Sequence, residues 1–283
     1  MNFGPLCRIA RQLYKYNFEG RREISSILAV DSAKKNKSGT MAIQTNSDCW
    51  GSIREEPLNI ENISRSKNES TAIVYFFHGS GSNGHDIKTW LKSVCNEEFS
   101  FPHINVIYPD APLQRYRLNQ NMESNVWFNR EDLSETSKEN KESVNKMCKT
   151  VLKNIEEEVA KGTPYNRIVL GGFSMGGALA LHLAYRFNKP FAGCFVISSF
   201  LNNDSLVYEA LDADSNAKKL PLIQLHGESD TLIPLKSGLN LQKKLGERGV
   251  NVTFKSYANT DHEIVREEVV LLKEWLLNTL PPL

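Results

Sequence analysis

Cysteine is sparse in this 283-residue chain: Cys7, Cys49, Cys95, Cys148 and Cys194 are odd in number, widely spaced and free of any C-x-x-C pair. That argues against a disulfide framework and against a thiolate zinc site, and it suits a reducing compartment. Long hydrophobic runs are missing as well. No apolar stretch approaches the roughly 20 residues needed to span a bilayer, and no secretory signal with a cleavage site opens the chain. Triplets such as Asn62-Ile63-Ser64 therefore carry no glycosylation argument. The third absence is a dominant charge: 34 Lys and Arg stand against 33 Asp and Glu, and a net charge of +1 gives no global reason to expect nucleic acid or an anionic membrane as partner. What is present is 40% hydrophobic and 24% charged residues, the composition of a globular protein with one substantial core.

The N-terminal segment differs from the rest. Arg8, Arg11, Lys15, Arg21 and Arg22 sit among Leu6, Ile9, Leu13 and Phe18, with no acid before Glu19. This composition is similar to a weak mitochondrial transit peptide, while the plainer reading is a flexible extension over residues 1–40 ahead of one domain over 41–283, beginning at Met41. The expected compartment is the cytoplasm, with the mitochondrion as the alternative if the basic segment directs import. The polar stretch 61–70 reads as a linking loop.

From Thr71 onward short apolar, β-branched runs recur at 72–77, 105–108, 168–170, 194–198, 220–225 and 252–257, each with the pattern of a buried strand. Between them lie amphipathic stretches. In one, Val144, Met147, Cys148, Val151, Leu152, Ile155 and Val159 recur at three- and four-residue spacing, with Lys, Asn and Glu on the other face as ordinary solvated helix surface. Val265, Val269, Leu272 and Leu276 mark a last helix over 263–279, stopped by Pro281-Pro282. Strands alternating with helices predict an α/β fold: a mostly parallel sheet covered on both faces, with ligand chemistry at the carboxyl ends of the strands.

At one such end stands Gly172-Phe173-Ser174-Met175-Gly176, a G-x-S-x-G sequence between a strand pattern and a helix pattern. In a nucleophile elbow the sharp turn holds the serine strained above the sheet, glycines remove side chains that would collide, and the helix N-terminus faces developing negative charge. A small-residue turn made for packing alone would match the same motif. A serine hydroxyl needs a base, and the base needs an orienting group. Of six histidines, His78 and His226 read as turn residues after strands, His85 and His103 as members of polar loops, and His182 as pointing down the helix away from the strand ends. His262, one short loop after the strand 252–257, is the candidate base. Asp230, after the strand 220–225, gives the order Ser, Asp, His expected for such a sheet. Asp261 and Glu228 are its rivals, Asp261 handicapped because a sequence neighbour of His262 diverges from the ring. For the oxyanion, the N–H of Met175 supplies one donor and the loop His78-Gly79-Ser80-Gly81-Ser82-Asn83-Gly84 a second, from Ser80 or Gly81. A phosphate-cradling role for these glycines lacks the lysine and Ser/Thr of a Walker loop.

Together, Phe76-Phe77-His78-Gly79-Ser80-Gly81, Tyr108-Pro109-Asp110-Ala111-Pro112, Val126-Trp127-Phe128, the glycine-flanked Ser174, His226-Gly227-Glu228-Ser229-Asp230 and Asp261-His262-Glu263 resemble the acyl-protein thioesterase and lysophospholipase family, from about Thr71 to the C-terminus. The stretch 198–202 looks most like its lysophospholipase-like branch. The resemblance implies a minimal α/β-hydrolase that cleaves carboxylic esters and thioesters, including palmitoyl thioesters on proteins. It places a triad on Ser174, Asp230 and His262 and oxyanion donors on the N–H groups of Met175 and Ser80. It implies no metal or organic cofactor. Where many members read H-G-L-G-D, this chain has Ser80 and Ser82, which removes apolar surface beside the nucleophile. Only about 20 residues separate the strands 194–198 and 220–225, so no cap domain is expected and the site should be open to an acyl group on something large. Expected partners are an acylated protein or a small acyl ester, with transient membrane-surface contact. A short-chain carboxylesterase or lysophospholipase, and a non-catalytic binding protein on the same sheet, are the alternative readings.

Overall fold

The computed structural model describes residues 58–213 and 220–283. The basic segment 8–22, Met41 and the expected boundary at residue 40 lie outside the described residues.

Among the described residues nine strands and six α-helices alternate. The main sheet contains β1 (Ile63–Ser64), β2 (Ala72–Phe77), β3 (Ile104–Ile107), β6 (Ile168–Phe173), β7 (Gly193–Ile197), β8 (Leu222–Gly227) and β9 (Val252–Tyr257), in the order β1-β3-β2-β6-β7-β8-β9. Every pairing is parallel except that of the short edge strand β1 with β3. The helices are α1 (Gly84–Cys95), α2 (Lys141–Ala160), α3 (Met175–Arg186), α4 (Leu206–Ala213), α5 (Leu235–Glu247) and α6 (Arg266–Thr279). Strands β4 (Leu113–Arg115) and β5 (Glu123–Asn125) form a separate hairpin. Among the described residues no cap domain is inserted, and the β7 to β8 connection carries α4. This is the α/β-hydrolase fold.

All six residues of β2 are buried, because the sheet is covered on both sides. Ile73, Tyr75 and Phe77 pack with Trp127, Val144, Met147 and Val151 on one face, whereas Ala72, Val74 and Phe76 meet Ile87, Leu91, Val269, Leu272 and Leu276 on the other. From β2 the chain goes to β3 on one side and later to β6 on the other. The order therefore reverses between β2 and β6, and a crevice opens at their carboxyl ends.

Several expected boundaries move, each for a visible reason. The supposed loop 61–70 contains β1, which caps the sheet edge by pairing Ile63 with Ile107. Strand β6 runs on through Gly171 and Gly172 to Phe173; a Cβ at Gly171 would lie 2.1 Å from the Phe195 ring, so the glycine is a packing requirement inside the strand. His226-Gly227 closes β8 and is not a turn after it. His85 lies on α1, and His103 is buried with its Nε2 2.7 Å from the Leu280 carbonyl.

The last helix starts at Arg266, three residues later than the periodicity suggests, because Val265 is extended and donates its N–H to the Glu268 carboxyl at 3.0 Å. Glu268 is fully buried and its other oxygen has no hydrogen-bond partner, so burial pushes the carboxyl up to about 8. An acid with a raised folded pKa gives stability that is whole below its unfolded value, about 4.3, and is lost as pH rises towards 8. Glu268→Gln should therefore be more stable to urea than the parent at pH 8, by roughly 4 to 5 kcal/mol at most, with the gain gone at pH 4. Equal differences at both pH values would remove burial of the charge as the cause.

Candidate active site

Ser174 sits between β6 and α3 with φ 54° and ψ −120°, a positive φ that a side-chain-bearing residue adopts only under constraint. The constraint is identifiable. Its N–H donates to the Ile197 carbonyl at 2.8 Å, and its own carbonyl accepts from Ser199 Oγ at 2.7 Å. The turn also lies hard against the end of β2: a Cβ at Gly172 would come 2.5 Å, and one at Gly176 2.2 Å, from the Phe77 carbonyl oxygen. No larger residue fits at either flank, which is why the hydroxyl stands between glycines. Ser199 lies in the stretch 198–202 marked by its resemblance, but nothing in a Ser-Ser pair announces a bond to the Ser174 carbonyl.

Asp230 and His262 meet. His262 Nδ1 is 2.8 Å from Asp230 Oδ2, and the other carboxylate oxygen accepts the Leu232 N–H at 3.0 Å and the Ile233 N–H at 2.7 Å. A carboxylate only accepts, so the Nδ1 proton belongs to this bond and Nε2 is left with a free lone pair. The ring packs on Phe173, 4.7 Å between centroids, at the end of the strand that leads into Ser174. The two loops are tied together. Ser229 N–H donates to the Thr260 carbonyl, Thr231 donates twice to Asp261 Oδ1, and a Cβ at Gly227 would lie 2.4 Å from the Thr260 carbonyl oxygen. Asp261 thus binds the Asp230 loop, and Glu228 accepts from Ser256 Oγ at 2.7 Å; neither carboxylate faces His262 Nδ1 as Asp230 does. Beneath them His226 puts its Nε2 2.8 Å from the Ile233 carbonyl and 3.7 Å from Asp230; burial lowers its pKa and keeps it neutral.

Opposite Ser174 lies the loop after β2. A Cβ at Gly79 would be 3.3 Å from that of Ser174, so the loop runs directly past the nucleophile candidate. Gly81, at φ 76°, donates its N–H to the Asn125 carbonyl at 2.8 Å, leaving Ser80 as the member of the pair whose N–H is not committed to that bond. Ser80 Oγ donates to Met175 Sδ at 3.6 Å, which joins the two residues named as oxyanion donors. His78, read from sequence as a turn residue, is fully buried and holds this loop. Its Nδ1 bonds the Gly79 carbonyl at 2.7 Å, its Nε2 accepts the Ala111 N–H at 3.0 Å, and its carbonyl accepts from Trp127 Nε1 at 2.8 Å.

Burial lowers the His78 pKa to about 4. A histidine depressed on folding must charge in the unfolded state first, so its stability is intact above about 6.5 and is lost as pH falls to about 4. From this group alone the protein should lose roughly 2 to 3 kcal/mol between pH 7 and pH 4.5. Urea unfolding at the two pH values measures it, and His78→Gln should show a shallower acid dependence; an identical slope in the folded variant would assign the loss to other groups.

Residues 58–280 match the family described as phospholipase/carboxylesterase. The chain belongs to the phospholipase/carboxylesterase family. Among curated proteins it is 42% identical over 212 residues to lysophospholipase-like protein 1 of Mus musculus, covering 75% of this chain and 88% of that one. It is 30% identical over 241 residues to acyl-protein thioesterase 1 of Cryptococcus neoformans, covering 79% and 99%. Acyl-protein thioesterase 2 of Zea mays superposes with a TM-score of 0.68 at 27% identity, over 77% of this chain and 97% of that structure.

Within this phospholipase/carboxylesterase chain the structure also brings forward residues that the motifs did not single out. His182 sits in a buried pair with Glu139: Nε2 lies 3.0 Å from Glu139 Oε1, while Nδ1 accepts from the Arg186 guanidinium at 3.2 Å. The Glu139 carboxylate also accepts from Ser205 Oγ and the Leu206 N–H. Those bonds outweigh burial and hold it below the usual carboxylate range, fixing the chain after Trp127 to α3 and α4. Tyr116 and Arg130 are both buried, and Arg130 Nη2 lies 3.5 Å from the Phe200 carbonyl. Arg130 stood directly behind Trp127-Phe128 in the sequence, but nothing in its spacing announces a buried guanidinium.

Proposed function

We propose that this chain is a serine hydrolase that cleaves carboxylic esters and thioesters, with acyl groups carried on proteins as its substrate class. The observation that carries the reading is the 2.8 Å bond between His262 Nδ1 and Asp230 at the strand ends that present the strained Ser174. Ser174 Oγ attacks the acyl carbon as His262 Nε2 takes its proton. The N–H groups of Met175 and Ser80 receive the oxyanion. His262 returns the proton to the departing thiol or alcohol, Asp230 supports the imidazolium, and water repeats the sequence to release the acid. The cycle draws on no group beyond the chain and water.

An acylated protein as partner follows from the similarity to acyl-protein thioesterase 1 and from the absence of an inserted cap domain among the described residues. Such a substrate implies transient work at a membrane surface from the cytoplasm. Among the described residues no helix is long and apolar enough to cross a membrane. A second reading, preference for short acyl esters, is favoured by Ser80, which puts a hydroxyl next to Met175 at the candidate oxyanion site. The deciding experiment pairs fluorophosphonate labelling with hydrolysis of a palmitoylated peptide and of a butyrate ester. Turnover of the peptide supports the thioesterase. Turnover of the butyrate ester alone moves the assignment to a carboxylesterase, and a folded protein that neither labels nor turns over substrate is a binding module.

A further inference from the structure

The proposed donor at Ser80 sits on a turn whose tip is not held by packing. Gly81, at φ 76°, has no atom within 4 Å of where a Cβ would be, so the position of the tip depends on hydrogen bonds. A peptide unit is planar and trans, with its carbonyl and its N–H pointing to opposite sides. The direction of the Ser80 N–H is therefore set by whatever holds the Gly79 carbonyl, and the tilt of the next peptide unit by whatever holds the Gly81 N–H.

Both are held, and the two holds meet at one residue. Ala111 donates its N–H to His78 Nε2 at 3.0 Å; a backbone N–H only donates, so the ring proton is on Nδ1, which donates to the Gly79 carbonyl at 2.7 Å. The Ala111 carbonyl accepts from Asn125 Nδ2 at 2.7 Å, and the Asn125 carbonyl accepts the Gly81 N–H at 2.8 Å. The bonds run from Gly79 through His78, Ala111 and Asn125 to Gly81, and Ser80 closes the circuit. Asn125 is its link to another element. It ends the β4-β5 hairpin, paired with Leu113, and Pro112 has no N–H with which to extend the ladder. The hairpin has other braces: Gln114 Nε2 donates to the Val126 carbonyl at 2.6 Å, and Asn119 Nδ2 to Ser124 Oγ at 2.7 Å. Removing the Asn125 amide thus cuts the circuit and leaves those braces intact.

We propose that Asn125 is a positioning residue for the oxyanion hole: its side-chain amide and its carbonyl tie the hairpin end to Ala111 and Gly81, and so hold the Ser80 N–H where the tetrahedral oxyanion forms. The proposal rests on the serine-hydrolase reading above. Because the oxyanion exists in the transition state and not in the bound ester, Asn125 raises kcat and leaves KM alone.

The test measures kcat and KM on a butyrate ester for the parent, Asn125→Ala, Asn125→Asp and Asn119→Ala, with inhibition by an alkyl boronic acid, whose adduct on serine is a tetrahedral anion. Asn125→Ala should lower kcat roughly tenfold or more with KM within about twofold, and weaken the boronic acid in proportion. Asn125→Asp keeps the shape and the backbone carbonyl but sets an acceptor against the Ala111 carbonyl, so it should lose at least as much. Asn119→Ala loosens the hairpin away from the Ser80 loop and should stay within about twofold of the parent. Hydrogen exchange of the segment 78–84 should quicken in both Asn125 variants and not in Asn119→Ala. An equal loss in Asn119→Ala, or a loss expressed in KM, would make Asn125 only a brace of the hairpin and overturn the proposal. If Asn125→Ala does not fold, Asn125→Asp decides by the same criteria; if neither folds, the residue serves the fold and the proposal falls. Ester turnover that depends on Ser174 but not on Asn125 removes this proposal alone. If no turnover depends on Ser174, the hydrolase reading falls and takes this proposal with it.

Discussion

Ser174→Ala is expected to lower ester turnover by roughly 10^4-fold or more and to abolish fluorophosphonate labelling while the protein stays folded. The fold should survive because the bonds that hold the turn do not use the hydroxyl. They run from the Ser174 N–H to Ile197 and from Ser199 to the Ser174 carbonyl, and both persist with alanine. Alanine also tolerates φ 54° no worse than serine, so the strain of the elbow is unchanged. What disappears is the hydroxyl proposed to form the acyl-enzyme. The residual rate is that of water attack aided by the remaining oxyanion donors. Retention of more than a hundredth of the parental turnover in the folded variant would place the nucleophile elsewhere.

The second large effect concerns Asp230→Asn, expected to cost about 10^3 to 10^4 in kcat. Asparagine keeps an acceptor for the Leu232 and Ile233 N–H groups, so the loop geometry has no reason to change. Its amide nitrogen, however, replaces the oxygen that faces His262 Nδ1 at 2.8 Å. A donor there forces Nδ1 to accept, moves the imidazole proton to Nε2 and leaves no lone pair for the Ser174 proton. Asp261→Asn and Glu228→Gln supply the comparison, since those carboxylates bind Thr231 and Ser256 instead. Each should stay within about tenfold of the parent, the scale of a loop disturbance. Were Asp261→Asn the more damaging, the orienting acid would have to be reassigned.

The parts that could be read in advance are those governed by local rules. Alternation of apolar runs with three- and four-residue periodicity announced the parallel sheet and the buried face of α2, where Val144, Met147, Cys148, Val151, Leu152 and Ile155 are all buried. The start of α6 was misplaced because hydrophobic periodicity continues through Ile264 and Val265, while the boundary is set by a bond from Val265 to Glu268 that periodicity does not encode. Likewise β1 has no signature in the sequence: two residues in a polar stretch become a strand only by pairing with the edge of β3.

The sequence by itself determined the order of the sheet-forming segments and the identity of Ser174, Asp230 and His262 as candidates, because strand period, turn chemistry and motif order are properties of neighbours along the chain. Tertiary structure decided which carboxylate faces His262, why glycines must flank Ser174, and what His78, His182 and Arg130 contact. Those outcomes depend on contacts between segments far apart in sequence: Phe77 against Gly176, Asp230 against His262, His78 against Ala111, Arg130 against Phe200. A histidine or arginine reads the same in sequence whether it ends in solvent or in the core. Its charge state and its work are fixed only when burial removes the water and the fold supplies, or withholds, a partner.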